Sequence, residues 1–318
     1  MSVAGPPPAA GAAPAASRRA VVRLTELPAP GEQRWANGLF VAPFLVLYLL
    51  LLVVPLFYGW WLSLRHADLL AGTSRFAGLD NYIELWRDPI FLGAVRNTVA
   101  FVAMTTPVFV ALGLALALVL NRPGLVAAAL RATFFGASVL SVTVVTLVWR
   151  LVMMPDHGLF ANLWRDLGGT PIQPLSIEGL SLVTVAVVTV WWIIGLPMML
   201  FLAGLQQIPS ELYEAAALDN AGRWRTFVAI TLPSLKRTVA LVTVIEVVLQ
   251  FQLFGQAWFL TLGGPNNSSR PIVQFVYEKG FREWQLGYAA ASAQILFVLM
   301  LIGILLQMWI ARRREVGR

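Results

Sequence analysis

The sequence predicts an all-α integral membrane protein with six transmembrane helices. Three observations carry this. The 318 residues are 58% hydrophobic and only 12% charged, where a soluble domain carries about 25% charged residues. Six apolar runs, near 39–62, 97–120, 128–152, 181–205, 238–262 and 287–311, reach the roughly 20 residues a helix needs to cross a hydrocarbon core. The basic residues gather at the ends of those runs, so the net charge of +7 follows a membrane pattern and not a nucleic-acid-binding patch.

The chain starts with "MSVAGPPPAAGAAPAASRRAVVRLTELPAPGEQR", rich in Pro, Ala and Gly and poor in aromatic residues. Such a segment buries too little apolar surface to fold, so residues 1–34 are expected to be a flexible tail and 35–318 the membrane domain. The first apolar run is too long for a cleavable signal peptide. Each of the six runs must be helical, because without water every backbone N–H and C=O has to be satisfied within the segment. None of the runs shows the alternation of a membrane strand.

Loop charges set the orientation. One side collects Arg18, Arg19, Arg23, Arg34, Arg122, Arg131, Arg223, Arg225, Lys236, Arg237, Arg312, Arg313, Arg314 and Arg318, and is strongly positive after its acids are subtracted. The other side is near neutral, so the first side, with both termini, is expected to be cytoplasmic. The fourth loop then lies in the cytoplasm. It contains "ELYEAAALDNAGRWRTFVAITLP", Glu211–Pro233. Pro209 stiffens its entry, Ser210 is a candidate N-cap, and Glu211 and Glu214 lie where the helix dipole favours acids. Ala215–Ala217 are strong helix formers with a flat surface, and Asn220 is a plausible left-handed stop. Composition alone makes this an amphipathic surface helix.

Cysteine is absent and histidine occurs twice, as His66 and His157, which argues against disulfides, thiolate sites and a histidine metal centre. No G-x-x-x-x-G-K-[ST] loop occurs, so ATP binding by a P-loop is excluded for this chain. Asp156 beside His157 reads as a solvated loop pair, and no catalytic constellation stands out.

The fifth run, "VTVIEVVLQFQLFGQAWFL", holds the informative intramembrane polar residues. Glu246 and Gln250 are spaced to share a helical face, with Thr243 before and Phe254 after, and Gln252 and Gln256 share another. An acid there is costly and normally faces a cavity or a partner. Solute contact and helix–helix hydrogen bonding are both open for the glutamines. Trp191 and Trp192 of the fourth run are either a stacking surface for a sugar ring or interfacial anchors. Gly263-Gly264-Pro265 ends the fifth run, and Asn266–Ser269 are expected to expose polar groups outward.

Spacing carries the fourth loop further. Glu214-Ala215-Ala216, a turn residue at Asn220, Gly222, and Ile230-Thr231-Leu232-Pro233 form an E-A-A … I-x-L-P pattern. Gly78, Leu79, Asn81, Tyr82, Phe91, Asn97 and Thr98 form a G-L-x-N-Y … F … N-T pattern. Trp149, Pro155, Gly158 and Asn162 follow, and then "LTLGGPNNSSRPIVQFVYEKGFREWQLGYAAA". Together, over about 36–315, they resemble the EAA-motif permeases of binding-protein-dependent ABC importers, in the maltose and glycerol-phosphate branch. Asn220 stands where that family normally has Gly.

The resemblance implies a type I ABC importer permease fold, with a cytoplasmic coupling helix in about 209–233 between the fourth and fifth spans. It implies a bacterial inner-membrane subunit forming half of a path for a sugar or related polyol. A second homologous permease, two ATPase subunits holding ATP and Mg, and an extracytoplasmic solute-binding protein would complete the complex. Glu214, Ala215, Ala216, Asp219, Asn220, Gly222, Ile230, Leu232 and Pro233 would meet the ATPase. Glu246, Gln250, Gln252, Phe254, Trp191 and Trp192 are the candidates for the solute path. A stand-alone secondary transporter is the alternative. It would need internal repeats and several ion-coupling acids, whereas one membrane acid and no clear repeat are visible.

Overall fold

The structure is a computed structural model that describes residues 30–155, 157–170 and 172–316. Most of the expected tail, Asp156 and Arg318 lie outside the described residues. The chain forms two compact units, Met1–Leu56 and Phe57–Arg318.

The first unit holds helix α1, Pro30–Tyr48, and a wider π turn, Leu49–Val53. The helix starts inside the stretch expected to be tail. Helix α2 is Val54–Ser63, and Leu39–Ser63 is long and apolar enough to cross a membrane.

In the second unit a small antiparallel hairpin comes first: β1, Arg65–Asp68, and β2, Thr73–Phe76, with Arg65 opposite Phe76. The Asp68 carboxylate accepts from the N–H groups of Leu70 and Ala71 at 2.8 and 3.0 Å and closes the turn. Helix α3, Asp80–Leu85, carries Asn81, whose amide donates to the carbonyls of Ser63 and Arg65 at 2.8 and 2.9 Å. Tyr82 shares a 2.7 Å hydrogen bond with Ser63. The G-L-x-N-Y pattern is therefore a clamp at the hairpin's root, and Gly78, at φ 57, supplies the left-handed turn before it.

Helix α4, Pro89–Leu120, is the second long span. Asp88 caps it, accepting from Ile90 and Phe91 N–H at 2.8 and 3.2 Å, with Pro89 in the first turn. The third expected run is two helices, α5 (Leu125–Val139) and α6 (Val142–Val152), bent by 100° at extended Leu140 and Ser141. Helix α7, Leu159–Asp166, follows. The fourth run is also bent: α8 (Leu180–Ile193) and α9 (Gly195–Gln206) meet at 47°. A Cβ at Gly195 would collide with the Phe134 carbonyl, so this bend brings two backbones together where only glycine fits.

The fourth loop carries α10 (Ser210–Leu218), α11 (Arg223–Thr226), a π turn Phe227–Thr231 and the short α12 (Leu232–Ser234). The fifth run breaks after α13 (Lys236–Phe251), leaves helical geometry at Phe254 (φ −147, ψ −69), and resumes as α14 (Gly255–Thr261). Gln252 and Gln256 therefore do not share one helical face. Helices α15 (Ile272–Tyr277) and α16 (Leu286–Val316) complete the chain, joined by a π turn Glu278–Arg282. Leu286–Ile310 is the third unbroken span, and among the described residues counting each bent pair as one span, the third being Arg223–Ser234 with Lys236–Phe251, gives up to six by length and composition.

The core runs through the bundle in patches. Phe101, Val185, Val188, Leu253 and Ala257 form one, and Ala117, Met198, Phe201, Leu235 and Val242 another. Near the hairpin, Phe91, Ile272, Phe275 and Tyr288 pack together, and the Tyr288 hydroxyl donates to the Asp88 carboxylate at 3.1 Å.

The loop 262–272 differs from the exposed turn expected. Ser269 is buried; it shares a 2.7 Å bond with Thr261 and donates to the Gly264 carbonyl at 2.7 Å. Asn97 of α4, 3% exposed, donates to the carbonyls of Asn267 and Arg270 at 2.8 and 3.1 Å. Its neighbour Thr98 accepts from Ile272 N–H at 3.0 Å. Ser268 bonds Ser181 at 3.1 Å, and Asn266 donates to Glu178, both at the start of α8. The loop folds inward because its carbonyls find donors there and would otherwise be buried unpaired. Replacing Asn97 with Leu strands two carbonyls, each costing about 1–3 kcal/mol. The purified protein should melt several degrees lower, and an unchanged melting temperature would contradict this role.

Candidate coupling segment and solute path

The segment 209–233 is a helix, a left-handed stop, a second helix and a bend. Helix α10 begins at Ser210 itself, preceded by Pro209, and no side-chain cap bond forms, so Ser210 is not the N-cap expected. Its C-terminus is fully closed. Asn220 has φ 50; its N–H bonds the Ala217 carbonyl at 3.1 Å and Ala221 N–H bonds the Ala216 carbonyl at 2.9 Å. This pair of bonds is a Schellman cap, in which glycine is usual and asparagine the best substitute. Gly222, by contrast, has ordinary φ −64 and open space around its Cα.

The second half returns the chain to the bundle. Tyr213 of α10 shares a 3.1 Å bond with the buried Thr231. The π turn containing Ile230 runs into Leu232-Pro233, and Pro233 has no N–H for a helical bond. The axis then turns by 65° between Arg223–Ser234 and Lys236–Phe251. The bend falls at Leu235, which is fully buried against α9 and α13 residues, and the small Gly204 lets Thr238 approach. The I-x-L-P residues thus join α10 and α11 to α13 through two short joints.

The outer face of this segment is open. Glu214, Ala215, Ala217 and Asp219 are exposed, with Leu218 85% and Trp224 76% exposed, while Ala216 points inward. Among the described residues, Glu214 forms no hydrogen bond or ion pair. Arg223 and Arg225 flank Trp224 and are exposed.

The candidates for the solute path separate. Glu246 and Gln250 do share a face, and Gln250 donates its amide to Glu246 at 2.9 Å. Both are buried, Glu246 at 0% exposure, on a helix whose neighbours Val247 and Phe251 pack on Val102, Leu296, Leu299 and Met300. Both are buried within this chain, and the second carboxylate oxygen of Glu246 is buried without a hydrogen-bond partner among the described residues. Trp191, half exposed, packs edge-on to Trp149 at 5.3 Å and fronts a cleft of about 550 Å³ with Met104, Val108, Leu112, Phe134 and Val187. The only side-chain polar group lining that cleft besides Trp191 is the Thr105 hydroxyl, already bonded to the Phe101 carbonyl at 2.7 Å. The cleft suits apolar chains better than hydroxylated solutes. Trp192 turns inward, its indole N–H buried without a partner. Gln252 is exposed and Phe254 half-buried at the break between α13 and α14.

Sequence reasoning missed the aromatic cluster that surrounds Phe254, formed with Trp258, Tyr277 and Phe281. The cluster joins two elements 19 residues or more apart, and the only available signal was the Y-x-x-x-F spacing of Tyr277 and Phe281.

The Asn220 geometry gives a test. Asn220→Gly should leave the melting temperature unchanged or raise it, whereas Asn220→Val should cost about 1–2 kcal/mol at a left-handed position. Thermal melts of both variants that agreed with each other would contradict the cap.

Comparison with known proteins closes the identification. Residues 89–316 match the family described as binding-protein-dependent transport system inner membrane component. A probable ABC transporter permease, YurN of Bacillus subtilis, is 34% identical over 275 residues, 85% of this chain and 94% of that protein. The sulfoquinovosyl glycerol transport permease SmoG of Agrobacterium fabrum is 28% identical over 305 residues, 93% and 99% of the two chains. A bacterial alginate ABC transporter, crystallised with an alginate pentasaccharide-bound periplasmic protein, contains a chain of the same fold: TM-score 0.77 at 20% identity, covering 89% of this chain and 96% of that one. The match sets aside the secondary-transporter alternative. The chain belongs to the inner-membrane permease components of binding-protein-dependent ABC importers.

Proposed function

We propose that this permease carries a sugar or related polyol, forming half of the translocation path and taking its drive from cytoplasmic ATPases through residues 209–233. The relatives support the solute class: besides the sulfoquinovosyl glycerol permease, they include a lactose transport permease of Rhizobium radiobacter. The complex contains a second homologous permease, two ATPase subunits that bind ATP and Mg, and an extracytoplasmic binding protein. Both termini lie in the cytoplasm, the side the basic loops favour.

The observation that carries the coupling role is the exposed α10 helix, with a Glu214 carboxylate unpaired among the described residues and exposed Leu218 and Trp224, joined to α13 by the bend at Leu235. Small alanines permit close approach of a partner, Trp224 is a large anchor for a cleft, and Glu214 accepts a charge-assisted bond from a partner cation. Asp219, Asn220 and Gly222 shape the turn, and Ile230, Leu232 and Pro233 transmit its movement. Closure of the ATPases then tilts α10 and, through the bend, α13, a rigid-body route to alternating access.

Gln252 and Phe254, at the helix break, are the solute contacts this reading retains. Glu246 and Gln250 pair with each other on the buried face of α13. In the assembled complex, Glu214→Lys should abolish uptake and the ATPase stimulation that the loaded binding protein produces, with the permease still present in the membrane. Normal uptake by that variant would end the coupling assignment.

A further inference from the structure

We propose a glycosyl-stacking station beside the α13–α14 break, built from Phe254, Trp258, Tyr277 and Phe281 with Arg282 at its rim. The inference rests on the sugar reading above and extends it to residues outside the α13 path. Three segments supply the rings. Phe254 lies 5.8 Å from Trp258 and 5.3 Å from Tyr277; Trp258 meets Tyr277 edge-on at 5.3 Å; Tyr277 stacks on Phe281 at 5.7 Å. The cluster is not a closed core. Phe281 is 64% exposed and Tyr277 36%, while Phe254 and Trp258 are half-buried.

The charges around the rings single out one cation. Arg270 pairs with Glu278 at 3.2 Å, and Lys279 pairs with Glu283 at 2.8 Å. Gln274, fully buried, donates to Glu278 at 3.0 Å and fixes it from below. Arg282 is exposed, lies 5.8 Å over the Trp258 ring, and has no acid partner among the described residues. Its guanidinium keeps five donors in a fixed fork. The amides of Gln252 and Gln256, close along the chain at the same break, also form no hydrogen bond among the described residues.

Flat apolar faces beside free donors and amides are the chemistry that a pyranose ring needs. Its C–H face lies on an aromatic ring, and its rim of hydroxyls takes hydrogen bonds. A simple interfacial belt would place aromatic rings singly at the headgroup level. Here they stack on one another, next to the break that exposes Gln252. The station receives a glycosyl unit as it leaves the binding protein and passes it toward α13.

The test uses the complete importer in liposomes with its binding protein, and a panel of labelled saccharides from glucose and lactose to a neutral pentasaccharide and an alginate pentasaccharide. Uptake of none by the unaltered complex would refute the sugar reading itself. With a saccharide that is taken up, Trp258→Ala and Arg282→Gln should each lower maximal uptake roughly three- to tenfold. ATPase stimulation by the loaded binding protein should persist, and Trp258→Phe should restore most of the uptake. Unchanged uptake in Trp258→Ala and Arg282→Gln would overturn the station. Loss of ATPase stimulation together with uptake would overturn it too, by making the cluster a docking surface for the binding protein. Loss of assembly in Arg282→Gln, an exposed position, would overturn it in favour of a membrane-anchoring belt.

Discussion

Two side chains on α4 hold the outer half of the bundle together. Asn97 and Thr98 take three backbone groups of the 267–272 segment, 170 or more residues away in sequence. That segment would otherwise carry unpaired carbonyls and N–H groups into an apolar setting, where each costs several kcal/mol. With the loop fixed, Ser268 and Asn266 reach the start of α8, Ser269 locks onto Thr261, and Arg270 pairs with Glu278. Through Arg270 and Glu278 this knot reaches the segment that carries Tyr277 and Phe281. The hairpin is seated from the other side, where a Cβ at Gly287 would strike the Arg65 carbonyl.

The opposite end works by contrast. The side-chain hydrogen bonds of segment 209–233 stay local: Tyr213 with Thr231, Thr226 with the Ala221 and Gly222 carbonyls, and Ser234 with Ile230, beside a Schellman cap at Asn220 and a bend at Leu235. Its apolar residues Leu218 and Trp224 face outward. In the proposed mechanism, a segment attached to α13 at a defined angle would transmit displacement, while the tied 262–272 loop would stay fixed.

The six apolar runs were legible because length and composition alone decide them. The breaks within three of them were not. The 100° turn at Leu140–Ser141 and the interruption at Gln252–Phe254 depend on what packs nearby, such as Val142 against Gly255, and no local periodicity records it. The left-handed Asn220 was readable because few residues tolerate that backbone and the position follows an alanine helix. The motif residues Asn81, Asn97 and Thr98 were visible as a pattern, but their partners lie on distant backbone and carry no side-chain signature. The hairpin at Arg65–Phe76 was missed because four-residue strands closed by an aspartate turn look like ordinary loop. Glu246 was expected to face a cavity or a partner; that Gln250 on its own helix bonds one of its oxygens, with the other buried and unpaired among the described residues, needed the packing of α13.

The central claim is that α10 meets the ATPase on the cytoplasmic side. The chain has no cysteine, so a single introduced thiol reports alone. Ala215→Cys, in an importer that still hydrolyses ATP, should cross-link to the ATPase subunit with a maleimide carrying a photoreactive group that inserts into whatever lies beside it, and a membrane-impermeant maleimide added outside the cell should not label it. Labelling of that position from outside, or no cross-link in a complex that still imports solute, would contradict the account.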